Sequence, residues 1–133
     1  MPGREGFQYA VLRVVPRIER GEFLNAGVVL FSRRHGFLAI QAEVDAAALA
    51  ALAPDCEPDA VSAHLRTLEL VAAGDPDGGP IAALEPSERF HWLTAPASTI
   101  VQPSPVHTGL TDDPAGELAR LFAEQVSRPG RRG

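Results

Sequence analysis

A chain of 133 residues that is 45% hydrophobic carries enough apolar surface for one real core, which excludes a disordered polymer and argues for a single domain over residues 1–127 with a frayed tail over 128–133. Its net charge of −5 disfavours wholesale nucleic-acid binding. One cysteine, Cys56, excludes an internal disulfide and a multi-thiolate metal site, and its neighbours Asp55 and Glu57 oppose a nucleophilic thiolate.

Residues 7–15, FQYAVLRVV, have strand composition with apolar side chains at both parities. Tyr9, Val11 and Val15 share one face, Ala10, Leu12 and Val14 the other, and Arg13 is the polar exception. Pro16 ends the strand. Residues 26–33 and 36–42 are two further strands, joined by a tight turn in which Gly36 supplies a positive φ, so the first three strands are expected to form an antiparallel meander. Asp45 is placed to cap a short Ala-rich helix that stops before Pro54. Pro58 suits the first turn of a second helix whose apolar face is Val61, Leu65, Leu68 and Ala72, with Gly74 past its end. Residues 74–80, GDPDGGP, are a loop.

Residues 86–94 form one more short helix, in which Trp92 reads as core beside Phe90 and Leu93, with stacking on a base as the alternative. Pro103 and Pro105 lie two apart, so both missing N–H groups fall on one side of the chain, which predicts an edge strand over 98–104 laddered on one side only. Asp113 and Pro114 open a last helix with the apolar stripe Leu118, Leu121, Phe122 and Val126. The order β-β-β-α-α-α-β-α predicts an α+β fold: an antiparallel sheet of about four strands, with the helices packed on one face.

The polar residues gather in two stretches. The first, RGEFLNAGVVLF, sets Arg20, Glu22 and Asn25 against a buried-strand pattern. In one reading it is a long hairpin connection: Gly21 turns, Asn25 bonds the local backbone, Gly27 permits a bulge, and Arg20 and Glu22 pair on the surface. In the other, Arg20 and Asn25 are presented to a ligand or partner chain, with Arg20 pre-oriented by Glu22 to grip an anion. Residues 1–34 hold six Arg against Glu5, Glu19 and Glu22, a net of +3, while the rest carries −8.

The second stretch, QPSPVHTGLTDDP over 102–114, offers Gln102, Ser104, His107, Thr108, Asp112 and Asp113. Read as a loop, it is a candidate for binding. A Ser104–His107–Asp triad is allowed by residue type, but no G-x-S-x-G elbow is present and Asp113 is accounted for as a helix cap. A phosphate-cradling G-x-x-x-x-G-K-[ST] loop, H-E-x-x-H and paired H-x-[ST] repeats are all absent, and the four histidines stand 16 to 29 residues apart. No cofactor and no metal is therefore expected. The longest apolar run, Ala46–Ala53, is too short to cross a bilayer, and no signal segment follows Arg4 and Glu5, so a soluble cytoplasmic protein is expected.

YAVLRVVPRIERGEFLNAGVVLF near the start and RFHWLTAPASTIVQPSPVHTGLTDDP near the end together resemble the signatures of an uncharacterised bacterial domain-of-unknown-function family, family 3037. Its members are often encoded beside proteins similar to toxin kinases, so the resemblance implies a kinase-like protein partner and transfers no reaction. Together with the missing catalytic motifs, this favours a small binding or regulatory module. The competing class is a small hydrolytic or phosphoryl-handling enzyme built from the 20–25 and 102–113 segments.

Overall fold

The computed structural model describes residues 3–97 and 99–127, so the expected tail at 128–133 lies outside the described residues. Its frame is an antiparallel sheet around one long strand, β1 (Glu5–Val14). On one side β1 pairs with β2 (Leu24–Ser32), and β2 pairs with β3 (Phe37–Ala42), which gives the expected meander. Gly36, at φ 62°, closes the β2–β3 turn, and Gly21, at φ 67°, ends a short 3-10 turn, Ile18–Arg20, between β1 and β2.

On its other side β1 pairs with two short strands in succession, β4 (Val101–Pro103) and β5 (His107–Thr111). Part of the stretch read as a loop over 102–114 is thus a strand. The proline-marked edge strand is laddered to β1 alone, breaks near Ser104, and resumes. The register explains the break: Leu12 faces Pro103 but Tyr9 faces His107, so one extra residue sits between β4 and β5.

The helices do not share one face of the sheet. Helices α1 (Ala46–Leu52), α2 (Pro58–Ala73) and α3 (Pro86–Leu93) cover Ala10, Leu12, Val29 and Phe31, whereas α4 (Pro114–Gln125) covers Phe7, Val28 and Leu30 from behind. The cause is visible in β2, where consecutive residues Val28 to Phe31 are all buried. An antiparallel strand apolar on both faces needs cover on both. The caps agree with the sequence pattern: Asp45 and Asp113 accept the N–H groups of Ala48 and Gly116, Pro58 and Pro114 lie in the first turns, and Gly74, at φ 72°, ends α2. The 74–80 loop contains a 3-10 turn, Pro76–Gly78, and a second one, Pro80–Ala83, begins at its end.

Two close contacts fix the layers. Arg89 of α3 donates from Nη1 to the carbonyls of Val71 (3.0 Å) and Ala72 (2.7 Å) and from Nε to Leu84 (2.9 Å), placing a cation on the carbonyls at the end of α2. Phe31 and Phe90 stack with ring centres 5.3 Å apart, tying β2 to α3. Trp92 does not join them. It is 44% exposed, because α3 turns Phe90 and Leu93 inward and leaves Trp92 at the margin of the layer.

Leu121, 3% exposed, is a central contact of α4 with the sheet. Leu121→Ala should cost ~2–5 kcal/mol in chemical denaturation. Arg120→Ala, on the exposed side where Arg120 pairs only with Glu117 and Glu124, should leave the midpoint close to wild type.

Gly109 faces Phe7 across the ladder, and a Cβ on it would lie 2.7 Å from the edge of the Phe7 ring. Gly109→Ala should therefore cost ~1–3 kcal/mol by overpacking. Adding Phe7→Leu should recover part of that loss, so that the double variant melts above the sum of the two single effects. Strict additivity would refute the steric account.

Candidate functional site

The structure divides the sequence-predicted residues into separate groups. Arg20 and Glu22 form a two-pronged ion pair, Nε to Oε1 at 2.8 Å and Nη2 to Oε2 at 3.3 Å. The hydrogen bond holds the Glu22 carboxyl below the usual carboxylate range and pushes the Arg20 guanidinium further up. Both charges are thereby matched to each other at the surface, a pairing common to the hairpin and the anion-gripping readings.

Asn25 does not serve its own turn. Its Nδ2 donates 2.9 Å to the carbonyl of Gln125, at the end of α4. Its position follows from a bulge: β1 and β2 pair Leu12 with Gly27 but Arg13 with Asn25, which leaves Ala26 without a cross-strand partner. Gly27 beside it keeps the approach to β3 relaxed, since a Cβ there would lie a tight 3.0 Å from Cβ of Ala42. The bulge puts Asn25 on the α4 face, directly opposite Arg13.

Gln102 of β4 faces Arg13 from the other side. Directly opposed residues of antiparallel strands share a face with Cβ atoms about 4.5–5.5 Å apart. Asn25, Arg13 and Gln102 therefore form one polar row across three strands, and each of the two polar stretches contributes one end. The centre, Arg13, stood in the sequence only as a polar exception on an apolar strand face, which is the signal that could have found it.

The surroundings of Arg13 are unusual for a cation. Its guanidinium carbon lies 4.3 Å above the ring of Phe23, itself 48% exposed. Its Nε is buried without a hydrogen-bond partner, and so is Oδ1 of Asn25. Among the described residues no carboxylate pairs with Arg13, and its Nη groups are neither buried nor hydrogen-bonded. Glu124, across the adjoining groove between Phe23–Asn25 and the end of α4, is held by Arg120 at 2.8 Å.

The remaining candidates lie elsewhere. Ser104 is buried, with Oγ accepting the N–H of Val11 (2.8 Å) and donating to the carbonyl of Pro105 (2.9 Å). It replaces a main-chain acceptor where the edge strand breaks. His107 stacks on Tyr9 at 5.1 Å, Thr108 is exposed opposite Gln8, and Asp112 is exposed before α4. Tyr9 and Arg13 are four residues apart on β1, and Asn25 and His107 lie on strands flanking opposite edges of it. At ~3.3 Å per residue and ~4.8 Å per strand, the backbones of Asn25 and His107 are roughly 16 Å apart, on opposite sides of β1. No group of three or more His, Cys, Asp or Glu side chains able to hold a metal occurs among the described residues. No helix there is long and apolar enough to cross a membrane.

The site thus belongs to a small α+β protein that holds an unpaired arginine on a sheet. The model of a family described as protein of unknown function (DUF3037) matches residues 9–126, and the chain belongs to that family. No curated protein and no solved structure matches it.

The two bonds of Ser104 give a direct test of its structural role. Ser104→Ala leaves the Val11 N–H without an acceptor and should cost ~1–3 kcal/mol. Hydrogen exchange at Val11 should accelerate more than at Ala10 or Leu12, and unchanged protection there would refute the role.

Proposed function

We propose that this protein is a small non-catalytic binding module that grips an anionic group, a carboxylate or a phosphate, of a protein partner with Arg13. The observation that carries the reading is the state of that side chain: stacked on Phe23, partly desolvated, and without a carboxylate among the described residues. A guanidinium so placed has already lost part of its rotamer freedom and hydration, so less is lost when an anion arrives. Asn25 and Gln102 flank it with amide nitrogens that each donate one N–H to a main-chain carbonyl, of Gln125 (2.9 Å) and Thr99 (3.1 Å), and keep a second N–H for the same oxygens. A kinase-like protein is the partner implied by the family resemblance. The bacterial cytoplasm is the setting we infer, where a lone unpaired Cys56 is chemically at home. The hydrolase alternative draws on Ser104, whose hydroxyl is engaged by Val11 and Pro105.

Titration of the full chain with inorganic phosphate, followed by nitrogen-15 NMR of side chains, tests the reading. Saturable shifts should appear at Arg13 Nε–H and at the Asn25 and Gln102 amides, weaken as salt rises, vanish in Arg13→Gln and persist in Arg20→Ala. Equal responses in Arg13→Gln, or shifts centred on Arg20, would overturn it.

A further inference from the structure

We propose that the cavity framed by α2, α3 and β4 is a binding site for a small uncharged aromatic molecule. It lies on the face of β1 opposite the Arg13 row, since its floor includes Leu12, the neighbour of Arg13. The proposal is therefore independent of the anion site.

The cavity has a volume of about 280 Å³. That is just below the roughly 300–1,000 Å³ of drug-sized pockets and suits one or two rings. Its floor is made of core side chains, Leu12, Leu93 and Val101, so an occupant would touch surface already withdrawn from water. Trp92 forms part of the wall. A side chain this large left 44% exposed is poorly used if the core is its only purpose.

Two features set the chemistry. Among the described residues no Asp, Glu, Lys or Arg lines the cavity, so an ionised ligand would lose hydration without an opposite charge from them to replace it. Among the described residues His64 and Thr99 are the lining side chains able to hydrogen-bond, apart from the Trp92 indole, with the Thr99 hydroxyl as an acceptor since it donates to Val101, and they can orient one polar substituent. A further feature argues against a peptide strand as the occupant. The Val101 carbonyl already accepts the Thr99 hydroxyl at 2.8 Å, and Pro103 has no N–H, so β4 offers an added strand few free groups.

Trp92 is the only tryptophan in the chain, which makes its indole N–H a single-site reporter. The test is NMR titration of the full chain with p-cresol, a neutral ring bearing one hydroxyl, against benzoate, a charged ring of similar size. The p-cresol should shift the Trp92 indole signal saturably and give intermolecular contacts to the methyls of Leu12 and Leu93. Benzoate should bind at least about tenfold more weakly. Ala97→Phe, at an exposed position on the lining, should close the cavity and abolish the shift while the spectrum stays folded. If Ala97→Phe does not fold, the methyl contacts in the wild-type chain decide alone. Absence of those contacts, a linear response up to the solubility of p-cresol, or equal binding of benzoate would overturn the proposal.

Discussion

The fold depends on satisfying both hydrogen-bonding edges of β1. A buried amide left without a partner loses its hydration for nothing, so a ten-residue central strand must find acceptors and donors along its whole length on both sides. On the β2 side a continuous partner is available. On the other side the chain returns as two short pieces separated by a proline-rich step, and the gap falls at Val11. The Ser104 hydroxyl fills it by accepting the Val11 N–H in place of a carbonyl. Without that substitution the edge could not carry Pro103 and Pro105 so close together, nor hold Gln102 in register with Arg13.

A second local irregularity determines what each face of the sheet presents. The unpaired Ala26 reverses the phase of β2, so that Leu24 and Ala26 before it and Val29 and Phe31 after it all belong to the core under α1, α2 and α3. The same reversal puts Asn25 beside Val28 and Leu30 on the side covered by α4. A regular strand could not bury both runs of large side chains and also set an amide opposite Arg13. The polar row is thus a consequence of the bulge, and Gly27 beside the bulge relieves a tight approach to β3, where a Cβ would lie 3.0 Å from Cβ of Ala42.

Much of the architecture was legible because it rests on short-range chemistry. Asp45, Asp113, Pro58, Pro114, Gly36 and Gly74 each act within a few residues of their own position, and each is found in the role its type implies. The proline spacing located an edge for the same reason. What was not legible depends on long-range register. Two-sided burial of β2 reads the same whether helices cover one face or both until the second layer is placed. The strand at His107–Thr111 has exposed side chains at most positions, so no alternation marks it. Asn25 reaches a carbonyl 100 residues away, which no local rule predicts. Arg13 announced itself only by interrupting an apolar face, and its two flanking amides come from segments 77 residues apart, Asn25 and Gln102.

Arg13 and Arg20 differ in how their charges are held, and that difference is why the proposed anion site is placed at Arg13. Arg20 lies in the most polar stretch of the chain, beside an acid of matching reach. Its charge is compensated at 2.8 Å, so a third party would have to displace Glu22 before gaining anything. Arg13 has the opposite history of interactions. Packing against Phe23 holds its guanidinium plane, burial has stripped water from Nε, and its Nη groups remain open without a described carboxylate. An anion arriving there adds charge-assisted hydrogen bonds without first breaking an ion pair, and it gains from a cation already partly dehydrated. The stacking on Phe23 contributes to the folded state, but the unbonded buried Nε works against it. In a protein that pairs Arg20 and Arg120 with carboxylates and seats Arg89 on carbonyls, Arg13 differs by its buried, unbonded Nε and its place over Phe23, and the proposed anion site rests on that difference.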